Sequence, residues 1–167
     1  MIFVTVGTHE QGFDRLVRYV DDMVGTQQLK SKVFIQYGYS NYRPVNTESS
    51  QWLTASAMRD MAAKCDTYVT HGGPGSIILA WEVGKLPIVV PRQERHGEHV
   101  DNHQVEFTKY LESRKLAKGV YYIQDLKDCL INQPKLTSGT QILADLRRSS
   151  SELCANLFTY TNMLFST

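Results

Sequence analysis

The sequence has no paired cysteines. It carries three, Cys65, Cys129 and Cys154, odd in number and far apart, with no CxxC that would point to zinc or redox chemistry. A reducing, cytoplasmic setting is expected. An excess of one charge is also missing: eighteen Lys and Arg against seventeen Asp and Glu leave a formal charge of +1. Proteins that hold nucleic acid draw affinity from a basic surplus, so nucleic acid is not an expected partner. No apolar run approaches the ~20 residues needed to span a bilayer. The opening residues, Met1 to Val6, lack the basic region, apolar stretch and cleavage site of a signal peptide. Any membrane association is therefore expected through a partner or a surface helix.

Several phosphate-handling and catalytic signatures are absent too. There is no GxxxxGK[ST], which sets aside a P-loop NTPase. Gly7 begins no GxGxxG, and the second apolar run ends in Gln36-Tyr37-Gly38 instead of an acidic ribose ligand, which argues against a dinucleotide enzyme such as an epimerase. Ser76 lacks the GxSxG elbow of an α/β hydrolase. No DxD triplet occurs, and Asp21-Asp22 falls inside an amphipathic segment, where adjacent carboxylates usually form a solvated face. A metal-chelated diphosphate is accordingly not expected.

What is present is a chain of 167 residues, 42% of them hydrophobic, enough for one well-buried core and read as a single domain over residues 1–167. Residues 2–6 are β-branched and aromatic and stop at Gly7, as a buried parallel strand does. Phe13, Leu16, Val17, Val20, Met23 and Val24 then recur at helical spacing over about 10–24. The alternation continues with a strand over 33–37, a polar loop over 40–50, a helix near 55–64 and a strand over 67–70. After a glycine-rich turn at 71–76 come a helix over 77–83, a strand over 87–91, a helix over about 98–113 and a strand near 119–123. Strand and helix in alternation define an α/β fold, a doubly wound parallel sheet of Rossmann-like type covered on both faces.

Ligands of such sheets bind beyond the carboxyl ends of the strands, and there the unusual residues gather: Gly7 to Glu10, Gly38 to Ser40, His71 to Ser76, and Arg92 to His99. The turn His71-Gly72-Gly73-Pro74-Gly75-Ser76 leaves backbone N–H groups at a helix start with little side chain over them. Two readings are open from the glycines alone: an anion site suited to a diphosphate, or a tight turn with a capped helix.

Taken in order, Val4 to Thr8, His71 to Ser76, Gly84 to Pro91 and Glu98 to Gln104 resemble the C-terminal domain of GT-B glycosyltransferases of the family 28 type. They resemble more closely the small subunits of split transferases, both bacterial capsule and exopolysaccharide forms and the eukaryotic dolichol-linked N-acetylglucosaminyltransferase. Pro91-Arg92 and Gly97 to Val100 favour the bacterial form, and the similarity covers about residues 1–125. It implies that Gly7, Thr8, Gly73, Gly75 and Ser76, flanked by His71 and Gly72, surround the diphosphate of a UDP-sugar, which is a substrate; no cofactor and no metal are implied. Gly38 and the segment around Met58 are expected near the uracil. Glu98 and His99, with Asn102 and Gln104, match the residues that relatives use on sugar hydroxyls. The acidic ribose ligand of relatives is replaced by Leu79, with Glu82 one turn on as a candidate substitute.

The histidines admit more than one role. His99 and His103 are four apart, a spacing that suits zinc, but the glutamate of HExxH is missing. His99 is otherwise a donor-site residue or a helix-start residue. His9 either contacts phosphate or acceptor or simply precedes a helix. Trp52 and Trp81 are expected to be packing residues.

A whole GT-B enzyme has two such domains, and one is found here. The resemblance therefore implies a cytoplasmic catalytic subunit that holds the UDP-sugar. A membrane-attached, acceptor-binding subunit would recruit it to the membrane and present a lipid-linked saccharide. Inverting transfer of a hexose is the implied chemistry, with the base on the partner. The rival is a non-catalytic stabilising subunit. In the tail, Leu153, Leu157, Tyr160 and Leu164 recur at helical spacing, so residues 151–167 are expected to form a helix that either closes the domain or docks the partner.

Overall fold

The structure is a computed structural model, and it describes residues 1–131. The elements in chain order are β1 (Ile2–Thr5), α1 (Asp14–Gly25), β2 (Val33–Gln36), β3 (Glu48–Ser50), α2 (Ala55–Lys64), β4 (Thr67–Thr70), α3 (Pro74–Glu82), β5 (Ile88–Val89), α4 (His103–Ser113), β6 (Lys118–Gly119) and α5 (Leu126–Ile131). Single 3-10 turns lie at Glu94–His96 and Ile123–Asp125.

Six parallel strands form one sheet in the order β3-β2-β1-β4-β5-β6. The expected doubly wound α/β fold is what the chain adopts. Alternate strand residues sort the core onto two faces. Ile2, Val4, Val6, Ile35, Val69, Ile88 and Val90 meet Phe13, Leu16, Val17 and Val20 of the α1 region and Leu126 and Leu130 of α5. On the other face Phe3 and Tyr68 pack on Ala62 and Ala80 of α2 and α3, while Val89 packs with Ile77, Trp81, Phe107 and Leu111. Both faces are dry, which is why these strands read as continuous apolar runs.

Several boundaries differ from the sequence reading: α3 starts at Pro74, three residues before the expected Ile77, and β6 is Lys118–Gly119 instead of a strand near 119–123. Three further differences have a local reason. The first helix begins at Asp14, four residues later than expected, because the carbonyls of Gln11 and Gly12 turn to accept from the Arg92 guanidinium and the Phe13 N–H donates to Ser40 Oγ. The helix expected from about residue 98 begins at His103, because Gly97 takes a left-handed φ of 67° and Glu98 turns inward to Arg15. The loop over 40–50 contains an unexpected edge strand, β3, whose Glu-Ser-Ser sequence has none of the β-branched or aromatic residues that mark strands.

Asp21 overturns the solvated-face reading of Asp21-Asp22. Its carboxylate is buried and accepts from the Tyr42 hydroxyl, the Val45 and Asn46 N–H groups, the Asn46 amide and the Thr47 hydroxyl, fastening the 42–47 loop to α1. Burial alone would raise its pKa, but these hydrogen bonds prevail and lower it. The tail helix expected at 151–167 lies outside the described residues. Among the described residues no helix is long and apolar enough to cross a membrane.

Candidate functional site: a crevice at the strand-order switch

In the order 3-2-1-4-5-6 the strand order reverses between the parallel strands β1 and β4, and the loops leaving these two strands bound a crevice. A cavity of about 300 Å³ occupies it. Gly7 and Thr8 leave β1 on one side; His71, Gly73, Pro74, Gly75 and Ser76 leave β4 on the other; Gln36 forms the floor, and Trp52, Leu53 and Met58 supply an apolar wall. The lining thus combines backbone N–H groups at the start of α3 with an aromatic and two aliphatic side chains.

The loops are held open by a few buried polar groups. Gln36 donates its amide to the carbonyls of Gly7 and Gln51 and accepts from the Thr5 hydroxyl, joining the ends of β1, β2 and β3. Gly38 has a φ of 54°, and a Cβ there would come 2.7 Å from the Gly7 carbonyl, so this glycine lets the second loop press on the first. It supports the crevice from behind and is not one of its lining residues. Gly72 donates its N–H to Gln104 Oε1, which also accepts from the Arg92 N–H. Gln104 therefore ties α4 to the glycine turn, and its NH₂ group has no partner among the described residues.

His71 is the ring around which the turn is built. It is buried, with burial first and the nearby Arg92 charge second pushing its pKa down to about 3, so the imidazole is neutral at physiological pH. Pro74 opens α3 at a position where a missing N–H costs nothing. It and the two glycines leave the helix start uncovered, and Gly75 has no atom within 4 Å of a prospective Cβ.

Arg92 is the largest fully buried side chain, and the sequence reading gave it no role beyond its place in the resemblance. Its guanidinium donates to the carbonyls of Val6, Gln11, Gly12 and Glu98, so the β1 loop and the 92–98 loop share one cation. Burial lowers its pKa to about 10, which still leaves it charged. The signal in the sequence was Pro91-Arg92 at the end of an apolar strand, where a cation needs several carbonyl partners.

The remaining expected site residues are placed as follows. Glu98 does not line the crevice. Both of its oxygens meet Arg15 (2.7 and 2.8 Å) and one also accepts from the Gln93 N–H. His9 and His99 stand side by side, ring centroids 4.9 Å apart. His9 Nδ1 accepts from the Gln11 N–H, so the neutral ring carries its proton on Nε2. Burial, then the Arg92 charge, lower its pKa and favour that neutral form. Asp101 lies between His99 (3.1 Å) and His103 (2.7 Å). Asn102 exchanges hydrogen bonds with Glu94, closing the 94–102 loop at a distance from the crevice. Glu82 is the last residue of α3 and pairs with Arg59 at 2.9 Å. It is not among the residues that line the crevice. Trp81 is a packing residue, its indole N–H donating to the Leu116 carbonyl. Trp52 packs edge-on against Tyr39, but it is 42% exposed and lines the crevice as well.

A doubly wound parallel sheet with a glycine-rich crevice at its switch point defines the class of ligand-binding α/β domains found in nucleotide-dependent enzymes. The glycosyltransferase family 28 C-terminal domain matches residues 1–136. The chain belongs to that family, and its fold is that of the C-terminal half of a GT-B glycosyltransferase.

The human UDP-N-acetylglucosamine transferase subunit ALG13 is 31% identical over 119 residues, covering 66% of this chain; the chain in turn spans 10% of that relative's length. Two solved structures share the fold. A glycosyltransferase of kitacinnamycin has a TM-score of 0.60 at 18% identity, over 88% of this chain and 38% of that one. CalG4, the calicheamicin glycosyltransferase, has a TM-score of 0.57 at 11% identity, over 98% and 44%.

Proposed function

We propose that this chain is the UDP-sugar-binding, catalytic subunit of a two-component inverting glycosyltransferase that adds a hexose to a lipid-linked saccharide in capsule or exopolysaccharide assembly. The observation that carries the reading is the mixed lining of the crevice. A helix start with uncovered N–H groups suits a diphosphate, and the wall of Trp52, Leu53 and Met58 suits a flat base. The family membership supplies the reaction class.

In this reading the α3 N-terminus, the Gly73 and Gly75 backbone and the Thr8 and Ser76 hydroxyls take up the charge that grows on UDP as it leaves. His9 offers Nε2–H to a phosphate or sugar oxygen; with Nδ1 engaged, it is a donor and not a base. His99 holds the His9 ring from the side. Gln104 offers its NH₂ group beside the glycine turn. Phosphate ligation by amides and hydroxyls makes UDP binding independent of divalent metal. The base that deprotonates the acceptor belongs to a membrane-attached partner, which recruits this chain to the cytoplasmic face of the membrane, in part through the 151–167 segment.

A second reading differs in donor and acceptor: N-acetylglucosamine transfer to a dolichol-type lipid, favoured by the 31% identity to the human UDP-N-acetylglucosamine transferase subunit. Transfer assays with the chain and its co-purified membrane partner, across a panel of UDP-hexoses and UDP-N-acetylhexosamines, test both. A hexose preference supports the first reading and an N-acetylhexosamine preference the second. Absence of transfer from every UDP-sugar contradicts both.

A further inference from the structure

A second cavity, of about 350 Å³, lies on the far side of the loop that follows β1. Gly7 and Thr8 of this loop line the crevice described above, while Gly12, Asp14 and Arg15, a few residues on, line the second cavity. Asn41 closes it from the β2 side and the 96–98 turn from the β5 side. The volume is at the lower end of the roughly 300–1,000 Å³ of small-molecule pockets, and it has room for one sugar ring.

Its charges are already balanced. The Arg15 guanidinium meets Glu98 through two parallel hydrogen bonds of 2.7 and 2.8 Å, with side chains only 15% and 6% exposed, and donates also to the Pro91 carbonyl. The pair forms a fixed, internally neutral wall. Asp14 adds a carboxylate; its Oδ1 accepts from the Tyr42 N–H and its Oδ2 has no partner among the described residues. A phosphate or uronate would meet a site whose cation is spent and whose remaining carboxylate repels it. The side chains of Asn41 and His96 likewise have no partner among the described residues. An acceptor oxygen, an amide and an imidazole in the lining of one small polar cavity match a ligand whose hydroxyls both donate and accept.

We infer that this cavity is a subsite for one neutral pyranose ring of the acceptor saccharide. The inference rests on the glycosyl-transfer reading and adds to it that this chain selects the acceptor sugar together with its partner. The shared loop, tied by Arg92 to Glu98 of one cavity and to Val6 ahead of the other, places such a ring beside the donor crevice.

The test is an amide NMR titration of the 167-residue chain with methyl glycosides of glucose, galactose and N-acetylglucosamine, and with methyl glucuronoside as the charged control. Each is added up to roughly 100 mM, with and without saturating UDP. At least one neutral glycoside is expected to shift the resonances of Gly12, Arg15, Asn41 and Gly97, equally with UDP present, and the glucuronoside to leave them unmoved. Asn41→Ala and His96→Ala, both at exposed positions, are expected to weaken that binding about tenfold while UDP still shifts residues 72–76 with its affinity unchanged. If no neutral glycoside moves the cavity resonances, or if the shifts vanish when UDP is added, the subsite is overturned. The same holds if they appear in a partner complex only through protein contact. If UDP fails to move residues 72–76, the donor reading fails instead, and the glycoside shifts still decide the subsite.

Discussion

A Cβ placed on Gly73 would clash with the imidazole of His71, and a Cβ placed on Gly7, which reaches the ring from β1, would clash with it as well. His71 is thus the spacer between the two loops that bound the crevice, and the two glycines are the positions that make room for it. Gly7 is doubly constrained, since its φ of 73° disfavours any side chain. Gly75, by contrast, faces open space.

Gly73→Val is therefore expected to destabilise the domain by about 1–3 kcal/mol, the usual cost of overpacking, visible as a lowered Tm. Gly75→Val is the cleaner probe of phosphate binding. It is expected to leave Tm unchanged and weaken UDP at least about tenfold, or 1.4 kcal/mol. Thermal melts and UDP titration of the two variants check this; equal stability losses contradict the geometry.

Trp52→Ala is expected to remove the platform under the base. Stacking of a base on an aromatic ring contributes about 1–3 kcal/mol, so UDP affinity should fall roughly ten- to a hundredfold, with little change in Tm because the side chain is 42% exposed. Calorimetry with UDP and with a diphosphate lacking the nucleoside separates the roles, since only UDP should respond to the substitution.

Glu98→Gln is expected to act on stability before chemistry. It leaves Arg15 without its counter-charge in a part-buried site, and breaking such a pair costs on the order of 3 kcal/mol. Arg15→Met together with Glu98→Gln should recover much of the loss. A Glu98→Gln protein with unchanged Tm and abolished transfer would show that the carboxylate works on substrate.

Acid should weaken the fold through His71. Its pKa falls from 6.5 to about 3 on folding, so below pH 6.5 the unfolded chain takes up a proton that the folded chain refuses, and stability declines as pH falls toward 3. His9, lowered for the same first reason, adds in the same direction. Between pH 6.5 and about pH 5, above the carboxylate range, denaturation curves should show falling stability, with a smaller slope in His71→Gln. An unchanged slope in that variant contradicts the assignment.

Much of the architecture was visible in the sequence because buried parallel strands are apolar on both faces, and short β-branched runs such as Ile2 to Val6, stopped by a glycine, mark them. The glycine turn was visible for a similar reason: three glycines and a proline between a strand and a helix leave backbone exposed. The supporting groups were hidden. Asp21, Gln36 and Arg92 are polar residues whose importance comes from partners 6 to 86 positions away, most of them more than a dozen, and spacing along the chain carries little trace of such pairings. Glu98 has its sugar-hydroxyl role from the resemblance, by its spacing to Asn102, and that spacing carries no sign of the Arg15 pairing 83 positions away. Trp52 reads in the sequence as a packing residue, and it does pack edge-on against Tyr39; only the fold brings it to the crevice as well.

Calorimetric titration of UDP into the isolated chain, in the presence of a metal chelator, tests the central claim most directly. The account expects saturable binding of one UDP per chain, unaffected by chelation and sharply weakened in both Gly75→Val and Trp52→Ala. Binding that requires a divalent metal, that is indifferent to both substitutions, or that is absent from the chain and its partner complex alike would contradict it.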